Sequence, residues 1–401
     1  MSEVDATPAP RLKVLVTNPY AWPHVRRGAE RLLNDLAGYL HAAGHDVSVA
    51  AMAPQDGREL RDGVHYRFLR ERGRSRLRQF NSLHRFAWQL QSVVRELDPD
   101  VVFCLNYFDA YAAVRCRERH QLSFRIVFQN VGIPVRRYFT AVPLDRWFMH
   151  RVLQEADDCL VLSRFAQERL EQEFGRSAQL LPPPVQVRAF RVDSAKPEGA
   201  GPLILFAGDV DEPRKGANVL CRAFAHLRQS MPGLRLRFVG KASAATRRAL
   251  LAQPGVEDAR AGVEFCGVGD VASLPRHYRE ASVTALPALW EAFGLVLVES
   301  LASGTPVVGA RHGGISDIVQ GDLVGRLFDP GPPAAQSQAV GALAEALREV
   351  LERGKSAEVS AACRARAHCF SWDTLGPAYL ALARPRREPA RPAAPEPFAG
   401  R

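Results

Sequence analysis

The sequence predicts two α/β domains in series, each built on a doubly wound parallel sheet. The chain of 401 residues is long for one domain. Strand, helix and strand patterns follow one another near the N-terminus, and the same alternation restarts after a stretch rich in proline, glycine and alanine. The hydrophobic fraction of 47% is enough for a core in each domain. We therefore expect ligands at the carboxyl ends of the strands, in a cleft between the domains.

The N-terminal domain is predicted over residues 1–192. A buried strand lies within 11–20, and a helix over 30–43 ends at Gly44, where a left-handed cap is expected. A second strand at 46–52 completes a βαβ unit. Further strands are predicted at 101–105, 125–129 and 159–162.

A change of composition marks the boundary between the domains. Residues 193–202 are rich in proline, glycine and alanine, and we place a linker there. The C-terminal domain follows over 203–369, and residues 372–383 form a last helix. The tail 384–401, rich in proline, alanine and arginine, is expected to be disordered. Within the C-terminal domain, elements are predicted at 203–207, 218–229, 234–239, 263–266, 282–286, 306–310 and 334–353.

The net charge of +10 favours an anionic partner, such as a phosphate, a nucleic acid or an acidic membrane surface. No nucleic-acid-binding module is recognisable, so nucleic acid is not expected. The N-terminus lacks a signal-peptide pattern, and no window reaches the roughly 18 apolar residues of a membrane span. The seven cysteines follow no disulfide or zinc spacing, which indicates reduced thiols. We expect a cytoplasmic protein, either free or bound peripherally to the inner face of the membrane.

Two glutamates frame an apolar run in WEAFGLVLVES, residues 290–300. Residues 295–302 can form a short helix, and Gly294 allows a tight entry into it. The helix N-terminus would present free N–H groups beside Glu291, an arrangement that binds anions. Glu299 lies just over one turn into the helix, and its carboxylate can accept two hydrogen bonds from a diol such as a ribose. The alternative is two surface glutamates that frame a packed helix.

A double glycine, Gly313 and Gly314, follows the predicted strand at 306–310 and precedes another helix start. It makes a second backbone turn at the same edge of the sheet. Two helix N-termini that converge on one place suit a diphosphate.

These motifs resemble those of a known enzyme family. ALPALWEAFGLVLVESLASGTPVVGARHGG at 285–314, FCGVGDVASLPRHYREAS at 265–282 and FSWDTLGPAYLALA at 370–383 are similar to retaining GT-B glycosyltransferases of family 4, also called group 1, whose signature is glutamate-x7-glutamate. The similarity extends over roughly residues 12–383. It implies the GT-B fold, two Rossmann-like domains facing a central cleft. It also implies that residues 370–383 cross back to the N-terminal domain.

The resemblance assigns roles to the residues around the signature. Glu299 would hold the ribose hydroxyls of a sugar nucleotide, and Glu291 would contact hydroxyls of the donor sugar. The backbone amides of Phe293, Gly294 and Leu295 would lie along the sugar and the β-phosphate. Gly314 belongs to the turn that completes this donor site.

A second family motif is GDVDEPRKGANVL, residues 208–220, which begins at Gly208. Lys215 matches the lysine that neutralises the donor diphosphate, where a fixed cation stabilises the leaving group. The family usually has arginine where this chain has Asp209, and Arg214 can supply the missing charge. Asp209 and Asp211 also form an Asp-x-Asp triplet, a metal signature of another glycosyltransferase fold, but we expect no metal. A solvated charged loop is the alternative.

The N-terminal half departs from the family pattern at two places. Gly28 matches the second glycine of the loop that opens the first helix, whereas Arg27 replaces the first and either grips an anionic ligand or lies in solvent. Gln129 and Asn130 occupy the position of a histidine that faces the donor sugar. Both can hydrogen-bond a sugar hydroxyl, but neither is an acid or base near neutral pH.

Residues 67–97 combine an arginine-rich start with apolar residues at helical spacing. One interpretation is a basic amphipathic surface that rests on an anionic membrane. The other is a helix packed on the core of the first domain.

The sequence thus predicts a retaining, metal-independent transferase that moves a hexose-type sugar from a nucleotide-sugar donor, UDP- or GDP-linked, to an acceptor hydroxyl. Glu291, Lys215, Gln129 and Asn130 are the expected catalytic residues. The acceptor is a lipid, a glycan or a small molecule, anionic or lipid-linked, and no separate cofactor is expected. Two alternatives remain: a catalytically weak homologue that acts as a binding or scaffold subunit, and a sugar-nucleotide epimerase on the same fold.

Overall fold

A computed structural model describes most of the chain. The described residues are 10–22, 24–25, 27–71, 81–136, 143–191, 201–268, 271–332 and 336–386. They contain two parallel-based sheets with helices, as an α/β fold predicts. The chain divides into two compact units. The first comprises 1–129, 137–159 and 380–401, and the second comprises 130–136 and 160–379.

The first sheet has eight strands in the order β3-β4-β2-β1-β5-β6-β7-β8. Its strands are β1 (Lys13–Thr17), β2 (Asp46–Ala53), β3 (Gly57–Arg61), β4 (Val64–Arg70), β5 (Val101–Cys104), β6 (Arg125–Asn130), β7 (Asp158–Val161) and β8 (Gln179–Leu180). The strands predicted from residues 11–20, 46–52, 101–105, 125–129 and 159–162 are all present. The strand β3 runs antiparallel to its neighbour β4, and this edge hairpin was not predicted.

In the part of the chain that the structure describes, five helices accompany the first sheet: α1 (Gly28–Ala42), α2 (Ser82–Leu97), α3 (Tyr107–His120), α4 (Pro143–Glu155) and α5 (Arg164–Phe174). The first begins two residues earlier than the predicted helix at 30–43. Gly44 follows it with φ +97°, the left-handed conformation expected of a residue that ends a helix.

The second sheet is parallel throughout and has the order β11-β10-β9-β12-β13-β14. Its strands are β9 (Leu203–Ala207), β10 (Arg235–Val239), β11 (Val263–Phe265), β12 (Val283–Leu286), β13 (Val307–Ala310) and β14 (Gly325–Phe328). The order reverses beside β9, the first strand of this sheet. Ligands of open α/β sheets bind at the carboxyl ends of the strands next to such a reversal, which here are the ends of β9 and β12.

Within the described residues, eight helices follow in the later part of the chain: α6 (Ala217–Arg228), α7 (Ala244–Leu251), α8 (Leu274–Glu280), α9 (Leu295–Ala302), α10 (Ile315–Ile318), α11 (Gln336–Arg353), α12 (Ala357–His368) and α13 (Trp372–Leu382). The helix α9 has the predicted bounds. The predicted linker falls largely on residues 192–200, and most of the tail on 387–401, both outside the described residues. The predicted domain boundaries stay predictions.

The helix α2 bears on the two interpretations of residues 67–97, a surface that rests on a membrane or a helix packed on the core. Phe86, Leu90, Val93 and Val94 are at most 2% exposed, so the described part of its apolar face packs in the core. The arginine-rich residues 72–80 lie outside the described part of the chain. Among the described helices, none is both long enough and apolar enough to cross a bilayer.

Candidate functional site

The structure brings Glu291 and Lys215 together at the carboxyl edge of the second sheet. Lys215 ends a short 3-10 turn, Pro213–Lys215, in the loop after β9, and Glu291 lies in the loop after β12. Because β9 and β12 are adjacent parallel strands, their following loops meet. Lys215 Nζ donates to Glu291 Oε2, and both side chains are about one-seventh exposed. The alternative of two surface glutamates that frame a packed helix does not describe Glu291, which is mostly buried.

Arg214 fastens the same two loops to each other. Its Nη1 donates to the carbonyl of Trp290 at 2.7 Å and lies 3.6 Å from Glu291 Oε2. Its own carbonyl accepts from the amide of Leu289 at 2.9 Å. Glu212 pairs with its Nη2 at 2.5 Å. Arg214 thus combines a structural role with a positive charge beside Glu291.

The double glycine lies directly against the Glu291 backbone. The amide of Gly314 donates to the carbonyl of Glu291 at 3.2 Å. A Cβ at Gly313 would be 2.0 Å from that carbonyl oxygen, and one at Gly314 would be 2.5 Å from the carbonyl of Ala292. Any larger residue would separate the loop after β13 from the loop that carries Glu291, so glycine is required by close approach.

The entry into α9 exposes backbone donors next to Glu291. Gly294 has φ +107°, which only glycine adopts readily, and it turns the chain into the helix. In the part of the chain that the structure describes, the amides of Phe293, Gly294 and Leu295 make no hydrogen bond. The Phe293 ring is 2% exposed and contacts Phe370, which anchors this turn in the core. Free amides at a helix N-terminus form an anion site.

Glu299 is held differently from Glu291. It is 5% exposed, and its Oε2 accepts a hydrogen bond of 2.6 Å from the hydroxyl of Tyr278 on α8. Tyr278 is fully buried. The tyrosine therefore fixes the orientation of a carboxylate that would otherwise be costly to bury. The role predicted for Glu299, that of holding a ribose, stays a prediction.

The two aspartates of the loop that starts at Gly208 accept hydrogen bonds from backbone amides, one within the loop and one from Ser243. The amide of Gly208 donates to the carbonyl of Val239, and Asp209 Oδ1 accepts from the amide of Asp211 at 2.9 Å. Asp211 Oδ1 accepts from the amide of Ser243 at 2.8 Å. The Thr246 hydroxyl and the Ser243 amide lower the pKa of Asp211 to about 2. Across the described residues, no three His, Cys, Asp or Glu side chains form a group that could hold a metal.

Gln129 and Asn130 end the strand β6. Gln129 is 1% exposed. Asn130 Oδ1 accepts from the amide of Gly132 at 3.2 Å, while its Nδ2 is buried without a protein partner among the described residues. An unsatisfied amide donor is the kind of group that a ligand hydroxyl can use.

Arg27 and Gly28 lie at the start of α1, in the first unit. Arg27 precedes the helix, its side chain is 62% exposed, and its Nη2 lies 3.3 Å from Glu30 Oε1. Its guanidinium also lies 5.7 Å from the centre of the Tyr20 ring. Glu30, which was not predicted as a site residue, is 2% exposed, and its Oε2 has no partner among the described residues. In the sequence, Glu30 could have been noticed as an acidic residue in the first turn of the helix.

Three aromatic side chains that were also not predicted line the Glu291 loop. Trp290, Phe165 and His312 have ring centres 4.9 to 6.2 Å apart. Burial, and then the charge of Arg169, lower the pKa of His312. His312 precedes the double glycine and Trp290 precedes Glu291, so their positions beside the motifs were the signal. The cluster places an aromatic wall on this side of the loop.

Two family models match the chain. The model described as glycosyl transferases group 1 matches residues 201–352. The model described as Glycosyltransferase Family 4 matches residues 26–188. Together they include the second sheet, every strand of the first sheet except β1, and the motifs around Glu291 and Lys215.

Curated relatives agree with these models. A D-inositol 3-phosphate glycosyltransferase of Acidothermus cellulolyticus is 34% identical over 63% of this chain and 59% of the relative. A GDP-mannose-dependent alpha-(1-6)-phosphatidylinositol monomannoside mannosyltransferase of Mycobacterium tuberculosis is 29% identical over 59% of this chain and 64% of the relative. The chain thus spans about three fifths of the length of these relatives.

Solved structures share the fold at low sequence identity. Sucrose-phosphate synthase from Thermosynechococcus elongatus has a TM-score of 0.76 and 21% identity, covering 93% of this chain and 99% of the other. Anabaena Alr3699/HepE in complex with UDP and glucose has a TM-score of 0.72 and 18% identity, covering 92% and 98%. With the two family models and this GT-B fold, the chain belongs to the group 1, family 4 glycosyltransferases.

Proposed function

We propose that this protein transfers a hexose-type sugar from a nucleotide-sugar donor to an acceptor hydroxyl, with retention of the anomeric configuration and without a metal. The observation that carries the proposal is the ion pair between Lys215 and Glu291, placed beside the free amides that open α9. A diphosphate attached to a sugar needs a cation and amide donors for its phosphate oxygens, and a carboxylate that accepts from the sugar hydroxyls.

Donor binding would rearrange this ion pair. The diphosphate offers Lys215 and Arg214 an anion with more charge than the Glu291 carboxylate, and the free amides of Gly294 and Leu295 bind its oxygens. Glu291, released from Lys215, then accepts hydrogen bonds from hydroxyls of the sugar. Glu299, held in place by Tyr278, accepts those of the ribose.

The chemical step follows from where charge develops. As the bond between the anomeric carbon and the phosphate oxygen breaks, negative charge grows on the diphosphate, and Lys215 stabilises it without a metal. The acceptor oxygen approaches from the face that the phosphate leaves. The departing phosphate oxygen takes the acceptor's proton, so Gln129 and Asn130 need only position the sugar. This front-face path gives retention.

The relatives suggest which substrates to test first. A relative is GDP-mannose-dependent, and a structural neighbour was solved with UDP and glucose, so we propose a GDP- or UDP-linked hexose as donor. Several relatives act on inositol phosphate or phosphatidylinositol compounds, according to their names. We propose an inositol-type polyol, free or lipid-linked, as the acceptor class, and a lipid-linked acceptor would bring the protein to the membrane surface.

The donor is tested by thermal denaturation with UDP-, GDP-, ADP- and TDP-sugars. The correct nucleotide should raise the melting temperature, because a ligand that binds only the folded state stabilises it. Glu291→Gln should bind the same nucleotide without its sugar preference. If no donor raises the melting temperature at millimolar concentration, the donor site is misassigned.

The reaction is tested by incubating the stabilising donor with inositol-type acceptors and determining the product anomer by NMR. We expect an α-product from an α-donor and unchanged turnover in EDTA. An inverted product or loss of turnover in EDTA would contradict the mechanism. Binding of donor without turnover for any acceptor would contradict the proposed activity itself.

A further inference from the structure

A second concave site lies in the C-terminal unit, away from the loop that carries Glu291. The pocket has a volume of about 460 Å³, within the range of small-ligand sites. None of the described residues that line it is acidic. Three cationic side chains and three serines contribute to its lining: Arg279, Lys355, Arg364, Ser282, Ser303 and Ser360.

The two arginines face this pocket without a counter-ion. Both are half-buried, and among the described residues neither guanidinium makes a salt bridge or a hydrogen bond. Arg364 Nη1 lies against the loop after α9, where a Cβ on Gly304 would be 2.6 Å from it. Like charges that face one cavity repel each other, so an anion bound between them would lower the free energy of the folded protein.

Lys355 has a different part in this pocket. Its Nζ donates to the carbonyl of Arg279 at 2.7 Å and to Thr305 Oγ1 at 2.5 Å. It therefore ties the end of α8 to the segment that follows α9. Lys355 fixes the wall of the pocket and adds positive charge, while the two guanidinium groups remain available for a ligand.

The pocket is separate from the proposed donor site. Ser303, which lines it, directly follows α9, whereas Glu291 and Gly294 precede that helix. A helix of 8 residues is about 12 Å long. The two sites therefore lie at opposite ends of α9.

We propose that this pocket is a second anion site that binds inorganic phosphate or a phosphate monoester. Each guanidinium can donate two parallel hydrogen bonds to phosphate oxygens, a geometry that lysine lacks. The hydroxyls of Ser282 and Ser360 can donate further hydrogen bonds, whereas Ser303 Oγ already donates to the carbonyl of Glu299. The proposal does not depend on the transferase activity, because it concerns residues outside the proposed donor site.

Isothermal titration calorimetry with inorganic phosphate and with a hexose 6-phosphate tests this site. The protein should carry Lys215→Ala, which weakens anion binding at the proposed donor site. In this background we expect Arg279→Gln/Arg364→Gln to weaken phosphate binding about ten-fold or more, since it removes two charge-assisted contacts. Arg248→Gln removes an exposed arginine of α7 and should change the Kd by less than about two-fold.

The same variants separate binding from folding. Without ligand, the double variant should melt at or above the temperature of its parent, because the two guanidinium groups repel each other and no described residue pairs with them. Should the double variant not fold, Arg364→Gln alone provides the measurement. A tighter Kd for the hexose 6-phosphate supports the site and identifies a phosphate monoester as its ligand. An equal Kd for both ligands also supports the site and shows that the phosphate group alone is recognised. Equal phosphate binding by the parent and the Arg279/Arg364 variants would overturn the proposal, as would loss of all binding with Lys215→Ala alone.

Discussion

Two clusters of ion pairs, one in each unit, have similar burial but different surroundings. In the second unit, Lys215 and Glu291 are 16% and 14% exposed. In the first unit, Arg117 and Asp157 are 5% and 17% exposed, with Nη1 2.5 Å from Oδ2. On ion-pair geometry alone, either cluster could be a functional site.

The difference lies in what else holds each carboxylate. Asp157 also accepts from the amide of Ile126 at 2.8 Å and from Arg386 Nε at 3.0 Å, and Arg117 donates to the carbonyls of Phe124 and Glu155. Among the described residues, the Glu291 carboxylate contacts only two side-chain cations. A carboxylate bound to the main chain supports the fold. A carboxylate held only by side-chain cations can exchange them for a ligand.

The largest expected effect is on the Asp157 cluster. Asp157→Asn leaves the Arg117 charge buried without its partner, so the free energy of unfolding should fall by about 3–5 kcal/mol. Urea unfolding measures this loss. Glu345→Gln, which removes the exposed partner of Arg348, should cost at most about 0.5 kcal/mol. If both variants lose less than about 1 kcal/mol, Asp157 does not have the structural role described.

The second prediction concerns the other cluster. Lys215→Ala should lower kcat by about 10²–10³-fold, because in the proposed reaction Lys215 is the cation that stabilises the leaving group. The melting temperature should change little, since among the described residues the Lys215 side chain bonds only to Glu291. Steady-state kinetics and thermal denaturation are the measurements, and Lys215→Arg should retain more activity. A large drop in melting temperature with unchanged kcat would reverse the distinction between the clusters.

A third prediction tests how closely the Glu291 loop depends on its neighbour. Gly313→Ala should cost about 2–3 kcal/mol, because its Cβ would clash with the Glu291 carbonyl and its φ is +61°. Gly321→Ala has φ +90° with open space around it, so only the backbone strain of about 1 kcal/mol remains. Chemical denaturation gives both values. Equal losses would mean that the close approach to Glu291 contributes nothing.

The smallest expected effect is the pH dependence of the Asp157 cluster. Burial raises the pKa of Asp157, but the Ile126 amide and Arg117 outweigh burial and lower it below its ordinary 3.8. A lowered pKa stabilises the folded state above the unfolded value, and this stabilisation is lost as pH falls through the folded value. The stability difference between wild type and Asp157→Asn should therefore be constant near neutral pH and shrink below about pH 4. Urea unfolding between pH 7 and pH 3 measures it, and a difference independent of pH would contradict this assignment.

Most strands of the C-terminal sheet and the helix α9 were predictable from sequence. Gly294 and Gly304 bound the apolar run so sharply that the predicted helix and α9 coincide. The meeting of Lys215 and Glu291 followed from a family motif and could not be read from spacing, since 76 residues separate them. Their proximity requires β9 and β12 to be neighbours, which only the strand order establishes.

Other features left little trace in the sequence. The edge strand β3 reads as a polar loop, because its charged residues lack the alternation of a half-buried strand. The hydrogen bond from Tyr278 to Glu299 joins two helices through their tertiary packing, which no local pattern encodes. The arginines of the second pocket likewise belong to different helices, α8 and α12, and only the fold places them at one cavity.

The salt bridge between Arg386 and Asp157 bears on how the chain folds as it is synthesised. The first unit takes residues 1–129 and 137–159 from the early part of the chain and the segment from Leu380 onward from the late part. During translation, Asp157 leaves the ribosome more than 200 residues before Arg386. Arg117 can neutralise it at once, whereas Arg386 completes the cluster only after the whole second unit has been made. A protein shortened before Arg386 would therefore keep the Lys215 and Glu291 loops intact and carry its defect in the other unit.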